Sequence, residues 1–295
     1  MFIHNIFATK KRAVLSFEIF PPKKDSPIDT IFTTIDGLKD LNPDFISVTY
    51  GAGGSSKGKT IEIASLIKHK YGIESLAHLT CISSTKDEVE DILTTLKNNK
   101  IENVLALRGD LPQDKNFKFP TPLHYNYASD LVFQIQQKGN FSIGGACYPE
   151  GHIESDCIET DVYYIKRKVE AGVDFLITQL FFDNEHLYDY INKIRQAGIN
   201  IPITAGIMPM LSKKQIERCL SFSKAALPKK FTRILEKYGH NSAALQEAGI
   251  IYATDQIIDL LSWGVDGIHL YSMNRPEVTK KIVENISDFR NLIQE

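Results

Sequence analysis

The sequence predicts an α/β protein, a (β/α)8 TIM barrel forming a single domain over residues 1–295. Three observations predict it. Short apolar runs alternate with helical stretches eight times, in a length typical of one such barrel. Polar and charged residues recur where the apolar runs end, the edge at which barrels of this kind keep their chemistry. The competing architecture, an open doubly wound sheet, has no G-x-G-x-x-G fingerprint to support it.

The elements follow in order. Val14–Phe20 (VLSFEIF) reads as the first strand and Ser26 to Leu41 as its helix. Phe45–Tyr50 (FISVTY) precedes a helix from Thr60 to Tyr71, and Ser75–Cys81 (SLAHLTC) one from Lys86 to Asn98. The fourth strand, Val104–Leu107, stops abruptly on Arg108, Gly109 and Asp110; its helix is Ala128 to Lys138. Ser142–Pro149 leads to Thr160–Ala171, and Phe175–Phe181 to Glu185–Ala197. Pro202–Pro209 opens a long helical region, Lys213 to Trp263, broken near Pro228 and Gly239. Gly267–Ser272 (GIHLYS) and the helix Pro276–Ile286 close the pattern. Gly72, Gly172, Gly198 and Gly264 stand where helix C-caps belong.

Composition narrows the function classes. Apolar residues make up 43% and charged residues 24%, with a net charge of −2, so nothing draws the chain to nucleic acid or a membrane surface. Cys81, Cys147, Cys157 and Cys219 lack the spacing of a metal site and read as free thiols of a reducing compartment. MFIHNIFATKKR has no continuous apolar signal core, and no run reaches membrane-spanning length. A cytoplasmic protein with small-molecule partners is expected.

The strand ends carry the candidate site: Glu18, Thr49, Tyr50, His78, Arg108, Asp110, Tyr148 with Glu150 and His152 beyond it, Gln179, and Tyr271 with Asn274 and Arg275. So many polar groups at corresponding ends of otherwise apolar strands point to a lined pocket. Glu18, between Phe17 and Ile19, reads in two ways. Desolvation would raise its pKa and make it a proton donor near neutral pH; alternatively it is a structural salt-bridge partner of Arg108 or Arg275. On the helix DVYYIKRKVEA, Asp161, Tyr164 and Lys168 share a face with Arg167 beside it, either a clamp for a phosphate and a ring or a solvated face. GGSSKGKT, residues 53–60, matches G-x-x-x-x-G-K-[ST] between a strand and a helix. A P-loop nucleotide hydrolase, with Lys59 on the phosphates and Thr60 on magnesium, is therefore the rival function.

SFEIFPPK, FISVTYGAGGS, AHLTC, LALRGDLP, CYPEGH, KRKVEAG, ITQLFFD, GIMP and LYSMNR, in this order from about Leu15 to Glu277, resemble the methylenetetrahydrofolate reductases. The chain is similar to their short bacterial form, without a regulatory domain. The resemblance implies a flavoprotein barrel that reduces 5,10-methylenetetrahydrofolate to 5-methyltetrahydrofolate for methionine synthesis. FAD passes the hydride from NADH or NADPH in a ping-pong sequence, and the implied assembly is a homo-oligomer. It makes Glu18 the general acid that opens the methylene bridge, and Asp110 a carboxylate near flavin and pterin. Thr49, Tyr50, Ala52, His78, Arg108, Gly109, Asp110, Ala128, Tyr148, His152, Ser155, Asp161, Tyr164, Arg167 and Lys168 match FAD-side positions. Asp110, Gln179, Gln215, Tyr271 and Arg275 match positions used in turn by folate and nicotinamide. No metal is implied, and the P-loop match becomes coincidence. Two departures stand out: an aromatic gate of bacterial members falls at Cys219, and the loop Gln113–Asn126 is longer than in some relatives.

Overall fold

Runs of Val, Ile, Leu, Phe and Ala long enough for one strand each form eight parallel strands. In a computed structural model that describes residues 1–22, 29–50, 57–111 and 117–292, they close into one barrel in chain order. The strands are β1 (Val14–Ile19), β2 (Phe45–Val48), β3 (Glu74–Thr80), β4 (Asn103–Leu107), β5 (Ser142–Cys147), β6 (Phe175–Thr178), β7 (Ile203–Ile207) and β8 (Gly267–Tyr271). Nearly every strand residue is buried, because parallel strands are covered on both faces. The outward faces, such as Leu15, Phe17 and Ile19 of β1, pack under the surrounding helices in the main core.

Those helices are α2 (Asp29–Lys39), α3 (Lys57–Tyr71), α4 (Lys86–Asn98), α5 (Ala128–Lys138), α6 (Ile158–Ala171), α7 (Asn184–Gln196) and, after β8, α11 (Pro276–Asn291). The residues between Lys213 and Trp263 fold as three helices: α8 (Lys213–Phe222), α9 (Lys229–Tyr238) and α10 (Ser242–Trp263). They break at the expected Pro228 and Gly239, the first as N-cap of α9 and the second as its C-cap. α8 and α9 cap the β6 and β7 ends through a cluster that includes Leu180, Phe182, Met210, Ile216, Cys219 and Phe231. α10 lies so close to the chain after β7 that a Cβ on Gly249 would sit 2.0 Å from the Met210 carbonyl oxygen. Only glycine fits that approach.

Several boundaries differ from the sequence expectation, and one helix was not expected at all. α3 starts at Lys57, one turn before Thr60, with the Thr60 hydroxyl donating to the Thr49 carbonyl at 3.0 Å. α11 runs past Ile286 because buried Arg290 reaches Asp44 at 2.8 Å. A helix that the sequence reading missed, α1 (Ile3–Thr9), plugs the N-terminal foot of the barrel. Its Ile3 and Ile6 join Val14, Phe45, Leu76, Leu105, Phe175 and Ile177 in a second cluster. The Asn103 side-chain oxygen takes the Ile3 N–H at 2.8 Å, so one orphan donor of that helix is capped by β4.

At the same foot, Asp44 receives Lys10, Arg12 and Arg290 at 2.8, 3.3 and 2.8 Å, plus the Leu15 N–H at 2.9 Å. Burial pushes its carboxyl up, but those donors and charges outweigh burial and leave it below its ordinary range. All four cysteines are free thiols, and only Cys157 is exposed. Among the described residues no helix is long and apolar enough to cross a membrane. Nor does any cluster of three or more His, Cys, Asp and Glu side chains there suit a metal.

Candidate active site

Alternation along β1 puts Val14, Ser16 and Glu18 on one face, toward the barrel interior. Val14 belongs to the apolar plug. One step up, Ser16 Oγ lies 2.7 Å from His269 Nδ1, and His269 Nε2 lies 3.4 Å from Ser47 Oγ. Higher still is Glu18, in register with Tyr271 of β8 and Ser47 of β2. The interior therefore grades from apolar at the foot to polar at the mouth.

Glu18 is held there by its neighbours. The Ser272 hydroxyl donates to its backbone carbonyl at 2.5 Å, and Asn274 bonds both backbone groups of Phe20, at 3.1 and 2.9 Å. Its carboxyl, 20% exposed, lies 3.6 Å from His78 Nε2 and 3.9 Å from His269 Nε2. Neither arginine named as a salt-bridge partner pairs with it. Arg108 forks onto Glu154, and Arg275 bonds Glu277 and Gln246. Barrel closure brings His269 of β8, one step below Glu18, and His78 of β3 close to this carboxyl, which spacing along the chain does not display. Burial pushes His78 down to about 4, with Glu18 opposing, so its imidazole is neutral near pH 7. Its Nε2 is buried and has no hydrogen-bond partner among the described residues.

A cleft of about 250 Å³ opens between the ends of β4 and β5 and helices α5 and α6. Eight expected cofactor-side residues line it: Arg108, Ala128, Tyr148, His152, Ser155, Asp161, Tyr164 and Lys168. Its two fixed cations are set differently. Lys168 donates to the Ala146 carbonyl at 2.7 Å, its ammonium 5.9 Å from the centre of the Tyr148 ring. Burial pushes that ammonium below its ordinary value. Arg108 faces Glu154 with both terminal nitrogens, at 2.6 and 2.7 Å. Asp161, expected on the ligand face, is buried and organises its own loop, accepting the His152 N–H and the Ser155 hydroxyl at 3.0 Å each. Arg167 is exposed and lines a neighbouring surface groove beside α5 with His124 and Phe133.

The other expected residues surround the mouth. Thr49 and Tyr50 follow β2; the Tyr50 hydroxyl is buried without a hydrogen-bond partner among the described residues. Ala52, like Gly53–Ser56 of the P-loop match, lies outside the described residues. Gly109 has φ +84°, and a Cβ there would come within 2.8 Å of Thr80, so the turn after β4 requires glycine. Asp110, next to it, is exposed. Gln179 falls just beyond β6, and its side-chain oxygen accepts the Leu180 N–H at 2.9 Å. Tyr271 donates to the Thr178 carbonyl at 2.7 Å. Both ends of the Gln215 amide tie down the loop after β7, through Leu211 N–H at 3.0 Å and Pro209 O at 3.2 Å. Cys219, at the aromatic-gate position, is buried with its Sγ 3.6 Å from Met208 Sδ. Of the loop Gln113–Asn126, residues 113–116 lie outside the described residues; its far half is anchored by buried Tyr125 and by His124, which accepts the Lys86 N–H.

Sequence reasoning missed three residues here. His269 was legible as the one polar residue inside GIHLY, two positions before Tyr271. Tyr127, stacked on Tyr164 with ring centres 5.4 Å apart, and Glu154, opposite Arg108, carry no such signal because both sit on loops.

Fold and cleft together define a (β/α)8 barrel with a polar cleft lined by rings and cations at the C-terminal ends of its strands. The family model for methylenetetrahydrofolate reductase matches residues 3–287. The 5,10-methylenetetrahydrofolate reductases of Escherichia coli and Salmonella typhimurium are 35% and 34% identical, over 92% of this chain and 90% of theirs. Methylenetetrahydrofolate reductase (NADH) 1 of Arabidopsis thaliana is 37% identical over 93% of this chain, which spans 48% of that protein, about half the length of the plant relatives. The chain belongs to the methylenetetrahydrofolate reductase family. A Clostridium thermocellum protein described as binding two copies of 5-methyl-5,6,7,8-tetrahydrofolic acid shares the fold, with TM-score 0.67, 14% identity and 97% and 98% of the two chains covered.

Proposed function

We propose that the protein reduces 5,10-methylenetetrahydrofolate to 5-methyltetrahydrofolate with NADH or NADPH, using FAD in a ping-pong sequence. The observation that carries this reading is the cleft: eight residues matched to cofactor positions by resemblance line one cavity. The residues there fit such a group. Arg108 and Lys168 are cations suited to a diphosphate, Tyr148 and Tyr164 offer rings, and the His78 Nε2 at the mouth is buried and unpartnered. When bound, FAD supplies the carrier that takes hydride from the nicotinamide and delivers it to the folate.

The chain's own residues supply position and protons. Glu18, half-buried and fixed through Ser272 and Asn274, donates a proton to the bridge nitrogen of the folate. The bond from that nitrogen to the methylene carbon breaks, leaving a cationic iminium. Asp110 favours that cation by its charge. His78, neutral and 3.6 Å from Glu18, neither repels a proton on the acid nor competes as a cation. Gln179 and Tyr271 orient whichever substrate occupies the mouth.

The P-loop reading gains no support from Thr60, which is buried with its hydroxyl donating to the Thr49 carbonyl. The visible spectrum of the purified protein tests the proposal. Flavin bands, bleached by NADH or NADPH and restored by methylenetetrahydrofolate, are expected. A colourless protein that FAD cannot reconstitute overturns it.

A further inference from the structure

Arg108 is the cleft cation that is not tied to the backbone. Lys168 is fixed on the Ala146 carbonyl, whereas the Arg108 fork meets a single carboxylate, that of Glu154, at 2.6 and 2.7 Å. A phosphate that is to meet this fork end-on, in the bidentate geometry guanidinium favours, needs the place Glu154 holds.

The loop that carries Glu154 is built for the side chain to leave while the backbone stays. Asp161 pins the loop from one side through His152 N–H and Ser155 Oγ. Lys224 pins it from the other, donating to the Ser155 carbonyl at 2.6 Å, and the Glu154 N–H is held by His152 Nδ1. The Glu154 side chain itself is 54% exposed, so a rotamer pointing into water leaves no buried charge behind.

We propose that Glu154 is a resident counter-anion for Arg108. It neutralises the guanidinium in the empty cleft, is exchanged for a phosphate of the incoming ligand, and thereby sets how tightly a phosphate-bearing cofactor is held. The exchange rests on the FAD reading for the identity of the ligand, not for the Arg108–Glu154 geometry. Glu154 lowers cofactor affinity by competition, in contrast to a strut that would raise it by holding Arg108 in place. An exposed pair of this kind is worth a factor of about 1.5 to five in an equilibrium constant.

The test uses the full chain freed of flavin, titrated with FAD, riboflavin and inorganic pyrophosphate, as wild type, Glu154→Gln and Glu154→Ala. Thermal melts monitor folding, which an exposed loop side chain should leave unchanged. The expected result is FAD and pyrophosphate binding about 1.5- to fivefold tighter in both variants, with riboflavin, which has no phosphate, unaffected. FAD and pyrophosphate binding that is unchanged or weaker overturns the proposal and makes Glu154 indifferent or a strut. Riboflavin tightening as much as FAD overturns it as well, because the gain would not come from phosphate. If the wild type binds no FAD but pyrophosphate still tightens in the variants, the cofactor reading fails and the counter-anion role stands.

Discussion

The two ends of this barrel hold their polar groups in opposite ways. At the foot, Asp44 meets three cations and a backbone N–H, and the N-terminal plug takes a side-chain cap from β4. At the mouth, the His78 Nε2 and the Tyr50 hydroxyl are buried without partners, and Glu18 stands just beyond hydrogen-bond reach of two imidazoles. Buried polar groups are ordinarily paired, because an unpaired one costs on the order of 1–3 kcal/mol. The foot follows that rule at Asp44 and Asn103, although Arg290 Nε and Ser75 Oγ there are buried without a partner among the described residues. At the mouth the unpaired groups surround the position that the proposed ligand would take.

The contrast can be broken first at Glu18. Glu18→Gln keeps the size and removes the transferable proton, so folate reduction should fall by about 10²–10⁴-fold. Flavin reduction by nicotinamide and FAD content should stay near normal. Stopped-flow measurement of each half-reaction decides; parallel loss of both half-reactions and of stability would return Glu18 to a structural role.

The opposite break is at Asp44. Asp44→Asn leaves Arg290 buried beside a neutral partner and should destabilise the fold by about 3–5 kcal/mol, with the cleft at the mouth intact in the folded fraction. Its pH dependence has a definite sign. The folded carboxyl lies below its unfolded value of about 3.9, so its contribution is full above that value and is lost as pH falls through the folded pKa. Urea melts of wild type and variant should therefore converge in acid; a gap that stays constant from pH 7 to pH 3 rules the ion-pair account out.

A smaller effect is expected at Gln179, which stands at the mouth but packs no core. Gln179→Ala should weaken both half-reactions by about 1–3 kcal/mol, because in the proposed reaction one amide serves two alternating substrates. A defect confined to one half-reaction would separate the two subsites. The smallest effect belongs to Lys59. Lys59→Ala should leave reductase turnover within about twofold and reveal no ATPase activity to lose, because Lys59 is not among the positions matched to cofactor or substrate.

What the sequence made legible follows the same division. All eight strands could be read because each is an apolar run bounded by turn residues, and the types of residue at the mouth could be read because polar groups interrupt those runs. The partnerships could not. Ile3 meets Asn103, and Arg290 meets Asp44, across separations of 100 and 246 residues. Glu18 faces histidines of β3 and β8 where an arginine was a candidate partner, because strand register decides which side chains share a level. Asp161 and Arg167 lie on the same helix as Lys168, yet one serves its own loop and the other turns outward. Helical spacing gives a face but not what that face meets.

The contact at Gly249 sets a limit on how this mouth can change in evolution. Side chains are altered in steps of a methyl group, and a wall made of side chains can be widened or narrowed gradually. Here helix backbone meets loop backbone at Met210, with no side chain between them to trim or enlarge. The wall that carries Gln215 is thus indexed to the seat of α10. A lineage drifting toward a bulkier or smaller substrate meets an all-or-none step at this contact, whereas the side chains around it, such as Ile216 and Cys219, can still change gradually.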